Sequence, residues 1–235
     1  MPWQRVKPKS MNMALAKSNT KALIALAMGG FGIGLTEFVI MGILPDVASS
    51  LAISIPQAGH FIAAYALGVV VGAPLLTALG GKWPSHKVLW YLMVWFTVFN
   101  TLSAFAYDYY SLLLIRFMSG LPHGAFFGIG AVVAGKLARE GKAPQAIATM
   151  FGGLTVANVI GVPIGTYLGH HFDCSVSFLM VGFIGLLTLA SIYLWMPHLP
   201  RSSEKGLGKD LQVFKRPELW ALILLTTLGT GGFFA

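Results

Sequence analysis

Apolar stretches of membrane-crossing length recur along the whole chain, separated by short polar connections. A hydrocarbon core of about 30 Å needs roughly 20 residues of helix. The pattern predicts spans at about 22–44, 58–79, 88–106, 110–135, 144–168 and 176–196, and a seventh from about 218. The organisation expected is a cytoplasmic tail over 1–21, a six-helix bundle over 22–196, a cytoplasmic inter-bundle loop over 197–217 and the start of a seventh helix over 218–235. The fold class is an all-α polytopic membrane protein. Pro2 and Pro8 oppose an early helix, so the basic tail reads as partly disordered. Within the inter-bundle loop Leu207, Leu211 and Phe214 recur at helical spacing, which fits a short interfacial helix or a plain loop.

Composition agrees with the pattern. The chain is 56% hydrophobic and 10% charged, with a mean hydropathy of +0.73, against roughly 25% charged in soluble domains. Its net charge of +8 would suit nucleic acid, but the placement of the charges argues otherwise. Lysines and arginines precede the first span (Arg5, Lys7, Lys9, Lys17, Lys21), then fill alternate connections (Lys82 and Lys87; Lys136, Arg139 and Lys142; Arg201 to Arg216). The connections at 45–57, 107–109 and 169–175 carry only Asp46, Asp108 and Asp173. By the positive-inside rule the N-terminus is cytoplasmic in the inner (plasma) membrane. Cys174 is the only cysteine, so no intrachain disulfide and no thiolate metal site is expected.

Two charges fall inside spans. Glu37 is the only charge of span one and shares a stripe with Gly30, Gly34 and Met41; Arg116 shares one in span four with Gly120, His123 and Phe127, with Gly124 to one side. They lie about 12 Å and about 9 Å below the outer surface at 1.5 Å per residue. A direct Glu37–Arg116 pair is therefore predicted, and Glu37 is either a structural partner or a protonatable carboxylate. His123, near the midplane, is either a neutral imidazole or a proton carrier. Tyr65, Asn100 and Asn158 are the other polar candidates for a cavity. In span five Pro163 deprives the Val159 carbonyl of its helical donor, and Gly161 and Gly165 flank the expected bend, which serves as a hinge or as static close packing. Gly68 and Gly72 form a small-residue packing pair. His60 and the neighbours His170 and His171 read as solvated, with no metal site, because adjacent helical residues diverge by about 100°. No paired acids, zinc-ligand spacing or serine–histidine arrangement lies in the spans, so the chain does not read as an enzyme, and no cofactor is expected.

Three stretches carry a family resemblance: Glu37-Phe-Val-Ile-Met-Gly42-Ile-Leu-Pro45, Leu113-Leu-Ile-Arg116-Phe-Met-Ser-Gly120 and Gly161-Val-Pro163-Ile-Gly165. They resemble the first-, fourth- and fifth-helix motifs of the major facilitator superfamily, drug:proton antiporter branch, of the arabinose-efflux-permease and chloramphenicol-resistance type. After span two the chain departs from that pattern, with Gly81 where the superfamily usually has an aspartate. The resemblance implies a secondary transporter exporting drug- or sugar-type molecules in exchange for protons by alternating access. Its partners would be a small-molecule substrate, protons and the lipid bilayer, and no nucleic acid. Glu37 would take the proton and Arg116 would answer its charge. It also implies a C-terminal six-helix half, so the chain reads as an incomplete transporter with a truncated seventh helix. Ala221-Leu222-Ile223, Leu225, Gly229 and Gly231 repeat residues of span one at a constant offset, as if a second unit were beginning. The alternatives are a non-transporting membrane structural or assembly protein and, with less support, a membrane-embedded enzyme.

Overall fold

The computed structural model describes residues 9–199 and, beyond them, Pro217, Trp220, Ala221, Leu222, Leu224, Leu225 and Leu228. Residues 1–200 and 201–235 form two units. The first contains α1 (Lys9–Gly42), α2 (Leu44–Ser50), α3 (Ile55–Gly80), α4 (Ser85–Ser103), α5 (Tyr109–Leu137), α6 (Ala143–Val156), a π-helical turn (Ala157–Gly161), α7 (Val162–His171) and α8 (Cys174–Trp195). Five stretches are long and apolar enough to cross a membrane: Asn19–Gly42, α3, α5, the continuous Ala143–His171 and α8. With α4, whose 19 residues reach about 28 Å, they make the six-helix bundle. In the second unit the described residues are helical and exposed; the expected loop helix at Leu207–Phe214 lies outside the described residues.

Helix α1 starts at Lys9, earlier than the apolar run, so the described part of the expected tail is helical. Pro2 and Pro8 lie outside the described residues. The short α2, with Pro45 in its first turn, was not foreseen. Helices entering from the side without basic residues begin with side-chain caps. Ser54 and Gln57 form a reciprocal capping box, as do Asp108 and Ser111, and Asp173 accepts from the Ser175 amide. The Ser111 amide and hydroxyl hold the Asp108 carboxyl, and the Ser175 hydroxyl and then its amide hold the Asp173 carboxyl, below the usual carboxylate range. Helices α4 and α6, entering from the basic side, have no side-chain cap.

Without water to drive association, close backbone approach through small residues holds membrane helices together. Between α3 and α5, a side chain at Gly68 or Gly72 would run into the backbone of Phe117 or Leu121, and one at Gly124 would lie 2.5 Å from Ala73 Cβ. Between α1 and α6, Gly30 faces the Met150 carbonyl and Gly153 faces Ala27. The larger apolar core joins α1, α4, α5, α6 and α8 around Phe96, Phe126 and Met150; a second, around Phe61 and Phe178, packs α2 against its neighbours.

The bend expected at Pro163 takes a definite form. Because Pro163 cannot donate to Val159, the chain rewinds ahead of it, and the Val162 N–H reaches five residues back to the Ala157 carbonyl. The extra residue in this turn swings Asn158, Val159 and Ile160 to exposed positions. Gly161 and Gly165 lie on the other side, where added Cβ atoms would stand 2.9 Å from Phe31 and 2.7 Å from Val39 of α1.

Candidate functional site

Arg116 is fully buried in the apolar middle of α5, and four helices supply its surroundings. Its guanidinium donates to the Thr36 hydroxyl at 3.1 Å and to the Thr36 carbonyl at 3.2 Å, both on α1. Its carbon lies 4.6 Å from the centre of the Tyr65 ring of α3, a cation–π arrangement. The Thr36 hydroxyl in turn donates to Asn100 Oδ1 of α4, and Asn100 Nδ2 donates to the Phe96 carbonyl at 2.8 Å. Ser119 closes the α5 side by donating to the Arg116 carbonyl. A charge removed from water costs several kcal/mol unless hydrogen bonds replace the lost hydration. Here they do so except at Nε, which has no partner.

The predicted ion pair is not present. Among the described residues no carboxylate lies within 4.0 Å of Arg116, and the one ion pair joins His170 Nδ1 to Asp46 Oδ2 at 2.7 Å. Helix α1 is rotated so that Thr36, fully buried, faces Arg116, while Glu37 is only half-buried and bonds no described side chain. Neighbours on a helix point about 100° apart, so both cannot face the guanidinium. The contact at His170 corrects a second expectation, since that imidazole bridges α7 to α2 instead of standing free in solvent. His171 meets the Tyr167 carbonyl, and exposed His60 meets the Tyr109 hydroxyl at 2.6 Å.

A second polar contact adjoins the first through Tyr65, whose hydroxyl meets His123 Nδ1 at 3.0 Å. His123 lies against Phe127, and Phe127 stacks on Phe151 of α6 with ring centres 4.8 Å apart. Arg116, Tyr65 and His123 thus form one continuous patch, with Gly120 between them on α5 against the Tyr65 backbone. Asn100 belongs to it only through Thr36 and is fully buried, so it positions other groups instead of lining a cavity. Asn158 is exposed on the π turn and bonds none of these groups. Among the described residues no three His, Cys, Asp or Glu side chains gather to hold a metal.

Thr36 is the residue that sequence reasoning passed over. It stands beside the acid that drew attention, and its one signal was its place on the stripe of Ile33 and Ile40, both fully buried.

Comparison with known proteins gives this arrangement a context. The family model of the Major Facilitator Superfamily matches residues 26–235. An inner membrane transport protein of Escherichia coli (strain K12), YdhP, is 45% identical over 212 residues, covering 90% of this chain and 54% of its own length. A protein of Pasteurella multocida named "Probable sugar efflux transporter" is 32% identical over 206 residues, covering 88% of this chain and 51% of its own. The chain thus spans about half the length of the curated relatives it matches. Among solved structures, the proton:xylose symporter XylE superposes with a TM-score of 0.66 over 78% of this chain and 46% of its own, at 15% identity, a likeness of fold alone.

Proposed function

Because the chain belongs to the Major Facilitator Superfamily, we propose that it forms the first bundle of a secondary transporter that exports small organic molecules of sugar or drug type in exchange for protons. The observation that carries this reading is the mismatch between Arg116 and Glu37. A buried guanidinium with an unpartnered Nε and a half-buried carboxylate on a neighbouring helix are near each other without being paired. In one conformation Glu37 is reached by water and takes a proton. In the other, a small rotation of α1 brings the carboxylate toward Arg116, whose charge favours proton release. Alternating access couples this exchange to substrate movement past the patch of Tyr65 and His123.

The relatives support the substrate class and location: one is named for sugar efflux and one as an inner membrane transport protein. The N-terminus lies in the cytoplasm in this proposal, on the ground of the basic connections. The test uses a transporter containing this bundle together with a second one, reconstituted in liposomes with an imposed proton gradient. Glu37→Gln should abolish proton-driven movement of a panel of sugars and drugs while protein insertion is kept. Wild-type proton-driven transport in that variant would overturn the role of Glu37.

A further inference from the structure

A cavity of about 250 Å³ opens between the first turns of α4 and the last turns of α8, away from the Arg116 network. It is lined by His86, Lys87 and His198, by the aromatic side chains of Trp90, Tyr91 and Tyr193, and by no carboxylate. The imidazoles of His86 and His198 stand 5.0 Å apart. His86 Nδ1 accepts the Leu199 N–H at 3.2 Å, which leaves Nε2 to carry a hydrogen and act as a donor. The cavity therefore presents donors and positive charge and asks for an anion.

Its place says what kind of anion. The α4 end lies on the side of the basic connections, at the depth where a helix leaves hydrocarbon, and tryptophan and tyrosine at that depth settle among headgroups. Lys87, Tyr91, Tyr193 and His198 are exposed, while Met196 behind them is buried. The mouth is polar and the floor apolar, as an amphiphile requires. Helix α4 begins here without a side-chain cap, so its N-terminal dipole adds to the positive field. Basic pockets between spanning helices on this side suit acidic headgroups. We propose that this cavity binds the headgroup phosphate of an acidic phospholipid from the leaflet facing the basic connections. The lysine and the two imidazoles hold the phosphate, and the acyl chains lie along α4 and α8.

The test is native mass spectrometry of the whole purified chain, released from micelles containing equal amounts of phosphatidylglycerol and phosphatidylcholine with matched acyl chains. The expected result is selective retention of phosphatidylglycerol, reduced about fivefold in Lys87→Gln, which removes one cation, and further in Lys87→Gln/His198→Ala, which also removes an imidazole donor. Lys82→Ala, an exposed lysine outside the lining, should retain the lipid as the unaltered chain does. Helical circular dichroism establishes that each variant is folded; if the double variant is not, Lys87→Gln alone decides. Equal retention of both lipids, unchanged retention in Lys87→Gln, or an equal loss in Lys82→Ala would overturn the proposal. So would displacement of the lipid by millimolar inorganic phosphate, which would mark a site for a free anion.

Discussion

Thr36 holds the buried charge in place with one hydroxyl, accepting from Arg116 while donating to Asn100. Thr36→Val keeps the shape and removes both functions, leaving Arg116 Nη1 on α5 and Asn100 Oδ1 on α4 without that partner, while the backbone carbonyl still accepts from Nη2. Stability should fall by about 1–3 kcal/mol, read as a lower melting temperature in detergent, whereas Thr36→Ser should stay near the unaltered protein. Equal stability of the valine variant would show that the network does not hold the bundle. Arg116→Lys should also destabilise, since a point-like ammonium cannot make the forked contact to Thr36 and lie over Tyr65. At the start of α5, away from the basic connections, Asp108 gives a pH dependence. Its carboxyl is held below its ordinary value by the Ser111 amide and hydroxyl, so its contribution is present above about pH 4 and is lost as pH falls through the lowered folded value. Asp108→Asn, which caps without titrating, should flatten the acid side of the stability profile; an unchanged slope would dismiss this contribution. Arg116, Tyr65 and His123 were legible in the sequence as polar residues set in apolar helices. The choice of Thr36 over Glu37 was not, because it depends on the rotation of α1 about its own axis.

Helix pairing rests on where glycines meet a neighbour, and two glycines of α5 make the contrast. A side chain at Gly120 would enter the Tyr65 backbone, while nothing lies within 4 Å of one at Gly128. Gly120→Ala should therefore cost about 1–3 kcal/mol by overpacking, and Gly128→Ala should be neutral or gain up to about 1 kcal/mol from helix propensity. Similar melting temperatures for the two would refute tight α3–α5 contact. In the helix containing the π turn, Gly161→Leu and Gly165→Leu should reduce transport more than they reduce folded yield, if the bend at Pro163 acts as a hinge. Normal flux in both would leave close packing as their role. Both glycines and Pro163 were visible in the sequence. That the missing donor would produce a π turn, and send Asn158 to an exposed position, required the competing bonds of neighbouring turns to be resolved in three dimensions.

For the whole molecule, the charges of the connections predict sidedness. Cys174, at the start of α8 and half-buried near Ser50, should react with a membrane-impermeant maleimide added outside cells, while a cysteine introduced as Ser203→Cys should not. The reverse pattern would overturn the proposed orientation. The 235-residue chain by itself should insert without moving substrate, because alternating access rocks one bundle against another. Efflux from cells expressing it alone, without a complementary half, would contradict that mechanism.

Helical class, family and the apolar runs of the first bundle were determined by sequence alone, because each is a sum over many residues, with hydrocarbon thickness setting the length of every apolar run. Contacts decided by angle were left to the tertiary structure. The partner of Arg116, the bridge from His170 to Asp46 and the meeting of His86 with His198 each depend on how one helix is turned against another. That rotation is set by packing across several helices at once, and no local stretch of sequence encodes it.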